Sequence, residues 1–407
     1  MLDALWLLII AVLDVWAIWT GNSLLILVTS LTWLLTVSVW LWNRWSLVGV
    51  EFSRRLSDGR AYFGQQIDLS LILVNLKPLP LPWLLVEDEI PQRLTVENGK
   101  IEIRHDGFFR CLQNILPMMP YERVVRRFPV MCSRRGIHTF GPAHLESGDY
   151  LGFLKSHAGV SATDTLVVFP RIAPVAMDRL SSNTIIGQDP IRRILHTDPV
   201  RTVSAREYIA GDPYRMIDWR TTARTGGLMV RVYEPSTTPL VDIVLNFSVP
   251  SYISRDVEPD ETEFIISVGA SLASHAAARG WAVGLRANGR SRRRPIAAAP
   301  SAAPAQLGEI LDILAQAYTV PTESIFSVLT ATHPARPAGA SVVLITTVLN
   351  ENITGALENL QRRGQPVTVV HTAVEPEAEA DIKSAVPVWR LPYAPNWTEH
   401  EAYIVHR

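Results

Sequence analysis

Uncharged, mostly apolar positions run from Ala4 to Asn43, where the only ionisable side chain is Asp14, and Arg44 is the first cation. A run of that length is about twice what one helix needs to cross roughly 30 Å of hydrocarbon. Gly21-Asn22-Ser23 is a turn cluster at its middle. The pattern therefore predicts two helices, Ala4–Thr20 and Leu24–Trp42, folded as a transmembrane hairpin within residues 1–45. Beyond it the period changes. Ile67–Val74 begins as an apolar/polar alternation, and short β-like runs follow at Trp83–Val86, Ile101–Arg104, Val124–Val130 and Thr165–Phe169. Pro78–Pro82, Arg135-Gly136 and Phe140-Gly141-Pro142 punctuate them. Short strands between turn signals predict an antiparallel β-sandwich over residues 47–172.

From Ser181 to Pro239 charges and aromatics interleave, and neither period is sustained until Leu228–Tyr233. This reads as a linking segment, 181–239. From Leu240 strands and helices alternate: strand Val241–Leu245, helix Glu263–Arg279 ending at Gly280, strand Trp281–Leu285, helix Pro304–Tyr318, strand Ser341–Val348, helix Asn352–Arg363 ending at Gly364, and strand Pro366–His371. Ala298–Ala305 reads as a Pro/Ala linker. The βαβα order predicts an α/β domain over 240–407, its sheet mostly parallel with helices on both faces.

Composition sharpens the anchor. Seven of the twelve tryptophans fall in the first 45 residues, most of them near helix ends, as rings at a membrane interface do. Met1-Leu2-Asp3 offers no cation for a signal-peptide n-region, and no small-x-small cleavage site follows. Arg44, Arg54, Arg55 and Arg60 all follow the second helix while the turn is uncharged, so the positive-inside rule places the body in the cytoplasm. An ionisable residue within a span is a functional candidate. Reflected across a turn near Asn22, Asp14 faces Ser30 with Thr29 close by, so the plainer expectation is a hydrogen bond joining the two helices. Net charge is −1, which gives no argument for nucleic acid as a partner. Cys111 and Cys132, the only cysteines, lack the spacing of a zinc site and fit reduced cytosolic thiols.

The segment Arg206–Glu234 is the densest in chemistry. Arg206, Tyr208, Asp212, Arg215, Asp218, Trp219, Arg220 and Arg224 lie within nineteen residues, with Arg231, Tyr233 and Glu234 beyond. Three readings are open. The preferred one is a structural clasp, with arginine forks holding carboxylates and stacking on aromatics. A docking surface is the second, since Arg, Trp and Tyr dominate binding hot spots. The third is an enzyme of unknown reaction using Asp212, Asp218 and the arginines, though the motif contains no histidine to act as base.

Read as Arg-x-Tyr, Gly-Asp-x-x-Arg, Ile-x-Trp and Ala-Arg, this segment resembles the signature of the bacterial and archaeal family called domain of unknown function 58. Arg135–His138 with Gly141-Pro142, and Gly148–Phe153, are similar to that family's second motif. The resemblance implies a von Willebrand factor A-like fold for the C-terminal α/β part. It also implies a working association with MoxR-type AAA+ ATPases. Domains of that fold often hold a divalent cation through Asp-x-Ser-x-Ser after the first strand. Here the strand runs into Asn246-Phe247-Ser248-Val249-Pro250, so Asn246 replaces the aspartate and Pro250 the second serine. Thr346-Thr347 supplies no carboxylate after the later strand, and Asp242 lies inside the first strand. A hard cation needs charged oxygen ligands, so the expectation is a degenerate site at Asn246, Ser248 and Pro250 that holds no metal.

Remaining signals are weak. His138 and His144 lack a nearby third ligand, and Arg290–Arg294 reads as a solvated basic loop, able to touch an anionic leaflet if the fold points it there. No phosphate loop, dinucleotide fingerprint or nucleophile elbow occurs. The expectation is a membrane-anchored scaffold or adaptor without cofactor or catalytic residues, working with an AAA+ partner in the assembly or maturation of envelope proteins.

Overall fold

The structure is a computed structural model that describes residues 2–21, 23–103, 109–150, 154–177, 196–209, 217–236, 239–248, 260–292, 294–330, 340–373 and 386–405. The chain divides into two compact units, Met1–Phe169 and Pro170–Arg407.

In the first unit two helices, Leu2–Thr20 and Ser23–Trp45, are separated at Gly21, whose φ of 68° breaks the first. Ser23–Trp45 is long and apolar enough to cross a membrane, and within the preceding helix the apolar stretch Ala11–Thr20 is shorter. Oδ1 of Asp14 accepts hydrogen bonds from Thr29 Oγ1 at 2.6 Å and Ser30 Oγ at 3.1 Å, the two hydroxyls that reflection across the turn singles out.

The rest of this unit is almost wholly antiparallel sheet. Val50–Leu56, Gln66–Asn75, Arg123–Met131 and Thr95–Val96 form one sheet in that order. A five-stranded sheet runs Lys155–Val160, Ala143–Gly148, Leu81–Ile90, Arg110–Met118, Lys100–Ile103. Arg60–Tyr62, Asp164–Phe169 and Gly136–Phe140 make a third, with one parallel pair. Alternation along Gln66–Asn75 turns Ile67, Leu69 and Leu71 inward against Ile90, Leu112, Phe128, Val130, Phe140 and Leu166. Both cysteines lie buried and unbridged here. Burial pushes the Cys132 thiol up to about 11.

The second unit carries a mixed seven-stranded sheet. Leu240–Leu245 sits near its centre between the parallel strands Ala282–Ser291 and Ser341–Thr346, and Val367–His371 and Val388–Arg390 continue outward in the same sense. At the other edge Arg294–Ser301 and Ala317–Tyr318 pair antiparallel with Ala282–Ser291. Helices Asp260–Ala278 and Gln306–Ala315 pack on each other and on the sheet. Ile325–Thr330 and Glu351–Arg362 bury a separate core with Val244, Val342, Leu344, Val367 and Val369. Both long helices end near the expected glycines, Gly280 and Gly364, whose φ values of 73° and 81° a Cβ would resist.

Three sequence expectations need correction. The first half of the stretch read as a Pro/Ala linker, 298–305, belongs to the edge strand Arg294–Ser301, in which Ile296 and Ala298 alternate inward against the neighbouring strand. The helix expected over 304–318 is shorter, Gln306–Ala315, and gives way to the strand Ala317–Tyr318. Within the linking segment, His196–Glu207 is a twelve-residue strand paired antiparallel with Met229–Ser236; two register shifts in that pairing explain why no period is visible.

Candidate functional site at the carboxyl ends of the parallel strands

In open α/β sheets ligands bind where parallel strands end. Leu240–Leu245 delivers Asn246 to that edge, and the ladder continues through the Asn246 amide N–H to Ile345 O at 3.0 Å. The side chains there are bonded to one another. Asn246 Oδ1 accepts from the Ser248 N–H at 3.1 Å and from Asn288 Nδ2 at 3.0 Å, while Asn246 Nδ2 donates to Thr346 Oγ1 at 3.0 Å. Asn288 Oδ1 accepts the Phe247 N–H at 2.8 Å, and its Nδ2 also donates to Ser248 Oγ at 3.1 Å. Asn246, Asn288 and Thr346 are buried.

The main-chain donors Ser248 N and Phe247 N fix which way both amides point. Thr346 uses its one proton on Val348 O at 2.7 Å, so its oxygen can only accept from residue 246. An asparagine meets that demand, and an ionised aspartate, which only accepts, does not. The network thus accounts for an amide at position 246. Ser248 and Asn246 come together as the sequence suggests; Pro250 lies outside the described residues. Asn288 was missed because it comes from another strand, and no local pattern points to it. Among the described residues, no three His, Cys, Asp or Glu side chains converge on a metal-sized site.

Deeper along the same strands, Arg286 Nε donates to Asp242 Oδ2 at 2.8 Å, with both side chains nearly inaccessible. Asp242 is therefore committed inside the sheet, as its position in mid-strand suggests.

The Arg206–Arg224 motif is only partly within the described residues; Asp212 and Arg215 lie outside them. Arg206 lies near the end of the strand His196–Glu207 and Tyr208 just past it, where the Tyr208 N–H donates to Leu228 O at 2.9 Å. Asp218 is the N-cap of a short helix, Trp219–Thr225, its carboxylate accepting from the N–H groups of Arg220 at 3.1 Å and Thr221 at 3.3 Å. Trp219 is 66 % exposed, and Arg220 and Arg224 are exposed as well. Of the basic run, Arg290 and Arg294 lie near the facing ends of two antiparallel strands, and Arg290, Arg292 and Arg294 are exposed. His138 is buried with its Nε2 2.9 Å from Arg134 O, and burial holds its pKa below the usual range.

The first unit holds an ionic centre that the sequence reading passed over. Arg54 donates through Nε to Asp88 Oδ2 at 2.8 Å, contacts the second Asp88 oxygen, and reaches Asp164 Oδ2 at 3.0 Å and Phe140 O at 3.1 Å. Arg54 and Asp88 are almost wholly buried. Arg54 was counted among the cations that orient the span; in the folded unit it is an internal cross-link between strands. A signal was present: Phe52, Arg54 and Leu56 share one face of their strand, as do Val86, Asp88 and Ile90 of theirs.

The family model described as "Protein of unknown function DUF58" matches residues 204–385. Over 246 residues the chain is 26 % identical to the "Uncharacterized protein YeaD" of Bacillus subtilis (strain 168), a match covering 60 % of this chain and 56 % of that one. The chain thus spans little more than half the length of that relative. Among solved structures, the CARDB domain of the PF1109 protein from Pyrococcus furiosus aligns at 11 % identity with a TM-score of 0.21, covering 30 % of this chain and 90 % of that one. A cohesin module from a Clostridium perfringens family 33 glycoside hydrolase aligns at 12 % with a TM-score of 0.21, covering 29 % and 96 %. Scores this low carry no argument about fold or function.

Proposed function

Taking as premise that this chain belongs to the DUF58 family, matched over residues 204–385, we propose that it is a membrane-anchored, non-enzymatic scaffold or adaptor. Its body lies in the cytoplasm and works with a MoxR-type AAA+ ATPase. The observation that carries the reading is the continuity of the span-length helix Ser23–Trp45 with the folded β-unit. Ser156 Oγ donates to Asn43 O at 2.9 Å, and Lys77 Nζ donates to Trp45 O at 2.7 Å, so the anchor is built into the body. The preceding helix, Leu2–Thr20, serves as a second span paired through Asp14. The α/β unit is a von Willebrand factor A-like module whose strand-end edge is filled by Asn246, Asn288, Ser248 and Thr346 rather than by a cation. The exposed Trp219, Arg220 and Arg224 supply residue types suited to protein contact.

The test is co-purification of the detergent-solubilised full chain with a MoxR-type ATPase from the same organism, under ATP, ADP and nucleotide-free conditions. Nucleotide-dependent retention is expected. Absence of association in all three states would remove the partner from the proposal.

A further inference from the structure

The β-unit gathers exposed apolar and aromatic side chains around the place where the helix Ser23–Trp45 enters it. The helix ends at Trp45, and residues 46–49 lead straight into the strand Val50–Leu56. Gly49 O accepts the Leu76 N–H at 2.8 Å. Lys77 Nζ donates to Trp45 O at 2.7 Å and also reaches Ser46 O, placing a cation on the carbonyl end of the helix. Asn75, fully buried, donates its side-chain amide to Leu79 O at 3.0 Å and to Met119 O at 2.9 Å, tying two neighbouring turns together. Its N–H donates to Glu122 O at 2.9 Å, and Tyr121 N–H donates to Lys77 O at 3.3 Å. The rings of Trp42 and Tyr150 also meet edge to face, their centroids 5.4 Å apart.

These bonds make the helix end and the turns at 76–80 and 119–122 one connected piece. Its surface is unusual for a face meant for water. Met119 is 67 % and Tyr121 69 % exposed, and Trp45, Val48, Leu76 and Tyr150 are exposed as well. Tyr121 has a φ of 56°, a backbone conformation that costs a side-chain-bearing residue energy and that the surrounding bonds hold. Arg123, also exposed, follows after the half-buried Glu122, whose carboxylate accepts the Met119 N–H at 2.6 Å. Aromatic rings, apolar tips and a cation beside the end of a span are the groups that partition to the headgroup region.

We propose that this face of the β-unit is a lipid-docking platform, in which Leu76, Met119 and Tyr121 sit in the bilayer interface around the emerging helix. The inference rests on the reading that Ser23–Trp45 crosses the bilayer. It adds that the β-unit lies against the membrane surface instead of standing off from it.

The test uses the full chain in phosphatidylcholine/phosphatidylglycerol nanodiscs, with a bimane label on a single introduced cysteine. Cys111 and Cys132 are buried and do not compete for the label. Leu31→Cys reports the span, and Leu76→Cys and Met119→Cys report the platform. Ile103→Cys is the control, because the strand partnered by Lys100–Ile103 carries it about 26 Å from Met118. Nitroxide lipids labelled deep in the chain should quench Leu31→Cys. Lipids labelled near the headgroup should quench the two platform probes by about twofold, as for side chains buried at the acyl boundary, and leave Ile103→Cys unchanged. Quenching at Leu31→Cys with both platform probes behaving like Ile103→Cys would overturn the docking while leaving the span intact, and would reassign the face to a protein partner. No quenching at Leu31→Cys would overturn the span and the platform together.

Discussion

Asn288 donates its side-chain amide to Oδ1 of Asn246 at 3.0 Å, across two neighbouring parallel strands and out of contact with water. The pair forms the floor of the edge where this fold would place a ligand. Replacing Asn288 with alanine leaves the Phe247 N–H and one lone pair of Asn246 without their partners. An unsatisfied buried group costs about 1–3 kcal/mol. The thermal transition of the α/β unit in Asn288→Ala should fall accordingly; a melt matching the wild type would show that the network is dispensable.

The same geometry predicts indifference to divalent cations. Isothermal titration of the full chain in detergent with Mg²⁺ or Mn²⁺ should give no saturable heat at micromolar concentrations. Saturable binding lost in Ser248→Ala would refute this and restore a metal to the edge.

Asp218 separates two readings of the arginine-rich motif. As a helix N-cap its function is to accept N–H bonds, and asparagine caps about as well as aspartate, whereas alanine costs about 1 kcal/mol. A clasp built on charge would lose far more, about 3 kcal/mol for a broken buried pair. If capping is the whole of its contribution, Asp218→Asn should melt like the wild type and Asp218→Ala slightly below it. A large loss in Asp218→Asn would support the clasp.

Arg54 and Asp88 behave oppositely to a surface pair. Arg54→Leu strands the buried Asp88 carboxylate and should cost about 3–5 kcal/mol. The double variant Arg54→Leu/Asp88→Leu removes both charges and should recover much of that loss. Denaturant titration of the three proteins checks it, and equal losses in the single and double variants would mean that packing, not charge, sets the cost.

Much of this architecture was legible because periodicity reports burial. Gln66–Asn75 alternates cleanly, Leu240–Leu245 is apolar but for Asp242, and the long helices stop near Gly280 and Gly364. Legibility failed where pairing is irregular or long-range. His196–Glu207 hides its period behind register shifts, and Ala298 looked like linker because alanine and proline carry little strand signal. The site was half visible. Asn246 and Ser248 stand two positions apart in the chain, but Asn288 and Thr346 join them only through sheet topology. Arg54 and Asp88 each break an inward apolar stripe with a charge, and the two breaks become informative only when paired.

Topology is testable without any of this geometry. Arg44 in the last turn of the span-length helix and Arg55 beyond it remain on the surface, although Arg54 is internal, so the body is expected in the cytoplasm. A reporter active only outside the cytoplasm, fused after Arg407, should stay silent; robust activity would reverse the assignment.

In the proposed two-span anchor, Asp14 has a consequence for how the two N-terminal helices find each other. Lipid tails are as apolar as leucine, so hydrocarbon offers such helices little reason to prefer one alignment over the next. One carboxylate oxygen that collects both Thr29 and Ser30 removes the degeneracy: a slip of one turn, about 5.4 Å, forfeits both bonds at once. Asp14 acts as a registration pin. Its loss would leave the helices able to associate but free to slide, and the defect would show as several coexisting alignments rather than as separation.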